Sequence, residues 1–260
     1  MPSLSQLISS FDPATGLELP ASWQQGRTAY GGISTALAVA AAGAASEAPL
    51  PPLRSAQVSF IGPANGRLVF RPQLLRAGSS VVSMAVDVHA GAGLALRLAL
   101  VFAQARDSSV AHSCAERPVV APWSACPEFD MTRAPFAPAF TRHFQIRPAG
   151  GAMPLSGAEH PELMIWVRHR DAAGVDPLLA LVAMGDALPP AVFAALRAPA
   201  PASSINWSFD VLDPTPRGDW FLLRSTSEHA RDGYSAQAMQ VWDENGGLVM
   251  LGRQSVAVFA

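Results

Sequence analysis

The sequence predicts an α+β chain of two tandem halves, each a buried helix followed by a meander of antiparallel strands. Three observations predict it. Gly31-Gly32 opens a run of small apolar residues that reaches Ala45 without a charge or a proline, the pattern of a helix buried on nearly every side. Strand-like segments separated by glycine turns follow that run. Beyond residue 140 the plan returns, with a proline-opened helix and four more strand-like segments. The repeat is one of architecture, because no repeat of sequence is visible. It divides the chain into a first half, residues 1–110, a proline-rich linker, 111–140, and a second half, 141–260.

The elements follow in order. Met1–Gln25 holds a short helix and a short strand near Leu17–Leu19. The apolar helix must end before Pro49, Pro51 and Pro52, which cannot continue it. Leu53–Phe60, Arg67–Arg76, Ser80–His89 and Leu94–Ala105 read as strands, with Pro72 at a bulge or on an edge. Asp107–Pro138 carries Pro118, Pro122, Pro127, Pro135 and Pro138 and no period, as expected of an extended segment wrapped over the surface. Phe144–Arg147 and Leu163–His169 are strand-like. Asp176-Pro177 starts a helix over Leu178–Met184, with aspartate as the cap and proline in the first helical position. Ala191–Arg197 suggests another short helical turn. Four strands follow: Ser203–Val211, Asp219–Glu228, Tyr234–Asp243 and Leu248–Phe259. The last two are joined by the hairpin signal Glu244-Asn245-Gly246-Gly247.

Composition excludes several classes of function. Of 260 residues half are hydrophobic and 15% charged, enough apolar material for a core and too little charge for a disordered chain. The net charge is −2, so no basic field is present to hold nucleic acid. Every basic residue is arginine. The apolar run near Gly31 is too short and too alanine-rich for a membrane span. No positive residue precedes an apolar block in MPSLSQLISSFDP, so no secretory signal is expected. Cys114 and Cys126 are not in a CxxC pattern and have no histidines at zinc spacing. Free thiols in a cytoplasmic protein without a metal are therefore expected.

Certain motifs narrow the reading. Tyr30-Gly31-Gly32 opens the first helix. Ser59-Phe60 leads to Gly62-Pro63, then to Leu75-Arg76-Ala77-Gly78-Ser79-Ser80. Asp219-Trp220, Gly233-Tyr234, Asp243-Glu244-Asn245-Gly246 and Gln254 follow in the second half. Their order and spacing resemble the acyl-CoA thioesterase II family and its thioesterase-like relatives. Two tandem helix-plus-meander halves look like a double hotdog fold, in which each sheet wraps a central helix and the two sheets join into one layer.

That resemblance implies an acyl-CoA thioesterase, splitting an acyl-CoA thioester into free acid and coenzyme A with no cofactor and no covalent intermediate. The family's aspartate, hydroxyl and glutamine fall on Asn206, on Thr226 or Ser227, and on Gln254. These groups would hold a water against the thioester carbonyl, while N–H groups at Gly31-Gly32, beside Tyr30, steady the oxyanion. Arg27, just ahead of the helix, is the best placed of several arginines (Arg76, Arg231 and Arg253 are the others) to meet coenzyme A phosphates. Edge-to-edge pairing of hotdog sheets would give a homo-oligomer.

Asn206 departs from the family pattern, because an amide cannot take the proton of water. Asp186, at the end of the second helix, is a substitute carboxylate, although a residue there is more often solvated. Gln254 lies in an apolar strand, where a buried amide needs partners. The histidines form no catalytic set: His89, His112, His143 and His160 read as loop or surface residues, His169 flanks a strand end, and His229 follows Glu228. No Gly-x-Ser-x-Gly elbow is present. The rival function is a catalytically weak acyl or acyl-CoA binding protein, motivated by Asn206. A hotdog dehydratase would want a histidine and an acid by the central helix, which carries neither before Glu47.

Overall fold

The computed structural model describes residues 1–131 and 137–260. Pro135 of the linker lies outside them. Helix α1 (Leu4–Ser10) is held by a capping box between Ser3 and Gln6. Short strands β1 (Leu17–Glu18), β2 (Gln24–Gln25) and β3 (Thr28–Ala29) precede α2 (Gly31–Ala44). Four long strands follow: β4 (Leu53–Phe60), β5 (Arg67–Ala77), β6 (Val81–Ala90) and β7 (Gly93–Ala103). The second half begins with β8 (Phe144–Gly151) and β9 (Glu162–His169), then α3 (Pro177–Gly185). It ends with β10 (Ala202–Val211), β11 (Phe221–Arg231), β12 (Tyr234–Asp243) and β13 (Leu248–Val258). The Asp176 carboxylate accepts the Leu178 N–H at 2.8 Å, as its capping position requires.

Among the described residues eleven strands make one sheet in the order β1-β5-β6-β7-β4-β10-β13-β12-β11-β9-β8. Reading outward from the β4–β10 seam, the two sides repeat: β4, β7, β6, β5 on one, and β10, β13, β12, β11 on the other. The seam is an antiparallel ladder from Asn206 opposite Ser59 to Asp210 opposite Ser55. This is the double hotdog arrangement, two helix-wrapping sheets fused edge to edge. Pro72 pairs only with Val86 of β6, because β1 covers no more of β5 than Arg67 and Leu68. Its missing N–H therefore lies on an open edge.

Helix α2 packs against α3 and against β5, β6 and β7. Eleven of its 14 residues are buried, which is why its sequence shows no polar face. The two helices approach closely where α2 begins. A methyl group added at Gly32 would stand 2.5 Å from the carbonyl oxygen of Ala183 in α3. Only glycine permits that distance.

Val120, Trp123 and Cys126 pack on the outer face of β9, β11 and β12. Cys126 joins Trp166, Trp220, Leu222 and Trp242 in a small separate cluster. Trp123 stacks on Trp220 with ring centroids 5.1 Å apart, and the Arg147 guanidinium lies over both rings. Cys126 is thus buried in this cluster, whereas Cys114 is exposed. His143, expected at the surface, is buried and stacks on Trp23 at 3.8 Å. Among the described residues no helix is long and apolar enough to cross a membrane.

Candidate active site

The amino end of α2 and the carboxyl end of α3 meet at one carboxylate. Asp186 caps α3 and directs its side chain toward Gly31 and Gly32. The Gly32 backbone N–H lies close enough to the carboxylate to favour its ionised form. A methyl group added at Gly31 would come within 2.5 Å of Oδ2. The positive dipole end of α2 therefore faces the negative group, which stabilises it.

Gln254 of β13 completes the contact. Its Nε2 donates to Asp186 Oδ1 at 3.0 Å. Its Oε1 accepts from Gln237 Nε2 at 2.8 Å. Gln237 Oε1 in turn accepts the Ala191 backbone N–H at 2.9 Å. Both glutamines are buried, so each amide finds partners on both ends. Despite the donors at Gln254 and Gly32, burial pushes the Asp186 carboxyl up to about 7. Loss of water outweighs the hydrogen bonds.

A cleft of about 430 Å³ opens beside this group, lined by Thr28, Gly31, Ser34, Phe60, Asp186 and Ser204 among others. Asp186 keeps its partial exposure through it. A second cavity, about 670 Å³, begins at the next residue, Ala187, and is walled by apolar side chains such as Ile146, Leu163, Leu188, Phe193 and Leu196. Gln25 borders both spaces. A desolvated carboxylate poised near neutrality, with a hydroxyl across the cleft and a helix amino end beside it, can take a proton from water. Among the described residues no cluster of histidine, cysteine, aspartate and glutamate has the proximity to bind a metal ion.

Residues 19–104 match the acyl-CoA thioesterase N-terminal domain, and residues 123–258 match the acyl-CoA thioesterase C-terminal domain. The chain belongs to the acyl-CoA thioesterase family. Solved structures extend the likeness of fold. A hot dog protein of unknown function from Alicyclobacillus acidocaldarius is 22% identical at a TM-score of 0.83, covering 96% of this chain and 98% of its own. A putative thioesterase II from Thermobifida fusca is 21% identical at 0.80, covering 94% and 92%. The acyl-CoA thioesterase II TesB2 from Mycobacterium marinum is 20% identical at 0.70, covering 89% and 90%. No curated protein sequence matches the chain.

In this member of the thioesterase family the residues expected from the sequence separate. Gln254 and Gly31 come together at Asp186. The Gly32 N–H is turned toward the carboxylate. Tyr30 is fully buried and stacks on Phe140 at 3.8 Å, so it serves the core. Arg27 is exposed at the tip of the β2–β3 hairpin, whose Gln25 and Thr28 line the cleft. Thr226 donates to Glu162 at 3.1 Å, and Ser227 shares a hydrogen bond with Ser235 at 2.9 Å. Neither hydroxyl lines the cleft. Arg253 pairs with Glu228 and Arg231 with Asp232.

Asn206 does not join the group. A bulge at Ile205 shifts β10, so that Ser204 stands opposite Val256 and Trp207 opposite Gln254. Those four residues share the inner face. Asn206 stands opposite Ser255 on the outer face, exposed, and its side-chain Oδ1 accepts the Ser255 N–H at 3.1 Å. Asp186, in contrast, is no solvated helix end. Ser204 and Gln237 carried no signal in the sequence. One inserted residue exchanges the inner and outer sides of β10, and Gln237 reads as ordinary strand polarity until its partners are known.

Proposed function

We propose that the protein hydrolyses acyl-CoA thioesters, with Asp186 as the general base. The observation that carries this reading is the Asp186 carboxylate held between the amino end of α2 and Gln254 at the wall of a cleft. Water held between Asp186 and the Ser204 hydroxyl loses a proton to the carboxylate and attacks the thioester carbonyl. The amino end of α2 at Gly31 faces the oxygen that becomes negative. The tetrahedral intermediate collapses, the C–S bond breaks, and Asp186 returns the proton to the coenzyme A thiolate. The acyl chain occupies the apolar cavity that starts at Ala187, where burial of each methylene contributes about 0.8 kcal/mol. The binding-only alternative loses its motive, since Asp186 supplies the carboxylate that Asn206 lacks.

The test is release of free thiol from a panel of acyl-CoAs as a function of pH. The base must be ionised, so log kcat/KM rises with slope one below about pH 7 and levels above it. Tight binding of acyl-CoA with no thiol release at any pH would refute the hydrolase reading.

Coenzyme A would leave the cleft past the β2–β3 hairpin, where Arg27 meets its phosphates. Arg27→Ala is expected to raise KM about fivefold, the equivalent of about 1 kcal/mol for an exposed ionic contact, and to leave kcat unchanged. Measuring KM at low and high salt checks the assignment: the difference between variant and wild type should shrink as salt rises.

A further inference from the structure

We infer that Gln237 is a positioning residue that fixes which end of the Gln254 amide faces Asp186. The inference rests on the reading of Asp186 as the reacting carboxylate. The three groups form a chain with one direction. The Ala191 backbone N–H can only donate, so the Gln237 atom it meets at 2.9 Å is the carbonyl oxygen. The other end of Gln237 is then its NH2, which meets the Gln254 carbonyl at 2.8 Å. Gln254 is left with its own NH2 aimed at Asp186, 3.0 Å away. A backbone group that cannot turn over thus sets the polarity of two side chains that can.

The polarity matters because an amide presents opposite charges at its two ends. An N–H toward Asp186 favours the carboxylate, and a C=O would oppose it. Gln237 is 1% exposed and Gln254 4%, so no solvent can substitute for a lost partner in the chain. The elements packed against Asp186 present uncharged groups: Gly32 from α2, Gln254 from β13 and, behind it, Gln237 from β12. The titratable group facing it is Tyr30, whose hydroxyl burial holds well above its ordinary value, so it stays neutral between pH 5 and 9.

Gln237→Glu separates positioning from mere support. Ionised glutamate keeps the acceptor that Ala191 needs but offers Gln254 a second acceptor instead of a donor; its protonated form would still donate, so the variant is compared above the pH at which the new carboxyl ionises. The Gln254 amide turns, and its carbonyl faces Asp186. The expected result is a Gln237→Glu variant that folds, with kcat reduced at least fivefold at pH 7, KM little changed, and the acid limb of the rate profile moved up by one pH unit or more. Gln237→Met, which anchors nothing, should lower kcat with a smaller movement of the limb. The Asp186 titration, followed by carboxyl-carbon NMR and assigned with Asp186→Asn, gives the same shift without requiring turnover. Failure of hydrolysis alone therefore counts against the proposed function and not against Gln237. In a Gln254→Met background the Gln237→Glu shift should shrink, because no amide remains to turn. A shift of undiminished size there would assign the effect to bare charge, and a Gln237→Glu enzyme with the wild-type limb would make Gln237 a support for the Ala191 turn. Either result overturns the inference.

Discussion

Asp186→Asn is expected to lower kcat by about 10²–10⁴-fold, the range for loss of a positioned general base, while the protein stays folded. The amide fills the same space between Gly32 and Gln254 but cannot take a proton from water. A second, independent signature lies in stability. The carboxyl ionises near 3.8 in an unfolded chain and near 7 in the folded protein. Between these values the folded state holds a proton that the unfolded state has released, so stability falls as pH rises. The contribution is fully present below about 3.8 and gone above about 7. Asparagine has no such dependence. The melting temperature of the variant should therefore gain on that of wild type from pH 4 to pH 7 and keep a constant lead from there to pH 9. Thermal melts of both proteins across that range check the sign. A lead that narrows with rising pH would mean that Asp186 is not desolvated.

Gly32→Ala should give the largest loss of stability among single methyl additions to α2. In an ordinary helix interior that substitution stabilises by roughly 0.5–1 kcal/mol, because alanine has less backbone freedom to lose. Here the added methyl would lie 2.5 Å from the Ala183 carbonyl oxygen and 2.6 Å from the Tyr30 ring. The first obstacle is backbone and the second a ring packed on Phe140, so neither yields cheaply. Overpacking of this kind costs about 1–3 kcal/mol and outweighs the propensity gain. The expected fall in melting temperature is about 2–4 °C per kcal/mol for a chain of this size. Activity should fall further than stability, since parting α2 from α3 also draws the Gly32 N–H away from Asp186. Gly43, with open space around its added methyl, is the control: Gly43→Ala should not destabilise. A Gly32→Ala protein as stable as wild type would mean that the two helices do not pack as closely as described.

The sequence carried the fold because the signals there are local. A charge-free alanine-rich run can only be an enclosed helix, and long alternating segments between glycine turns can only be a meander. The Asp176-Pro177 start and the Glu244–Gly247 turn were legible for the same reason, since each is set by neighbours along the chain. Gln254 was legible as a polar residue in an apolar strand. Asn206 came from matching a family pattern along the chain, and such a match does not register the bulge at Ile205 that leaves Asn206 on the outer face. His143 was misread because what buries it, the Trp23 ring, lies far away in sequence.

By itself, then, the sequence determined the two helix-and-meander halves, the glycine-opened helix and the glutamine that would need partners. The tertiary structure alone decided which carboxylate those partners include. Asp186 acquires its chemistry from three groups remote from it along the chain, the Gly32 N–H, Gln254 and the cleft beyond Ser204. Its proton affinity is set by loss of water, and the groups that displace that water come from both halves of the chain.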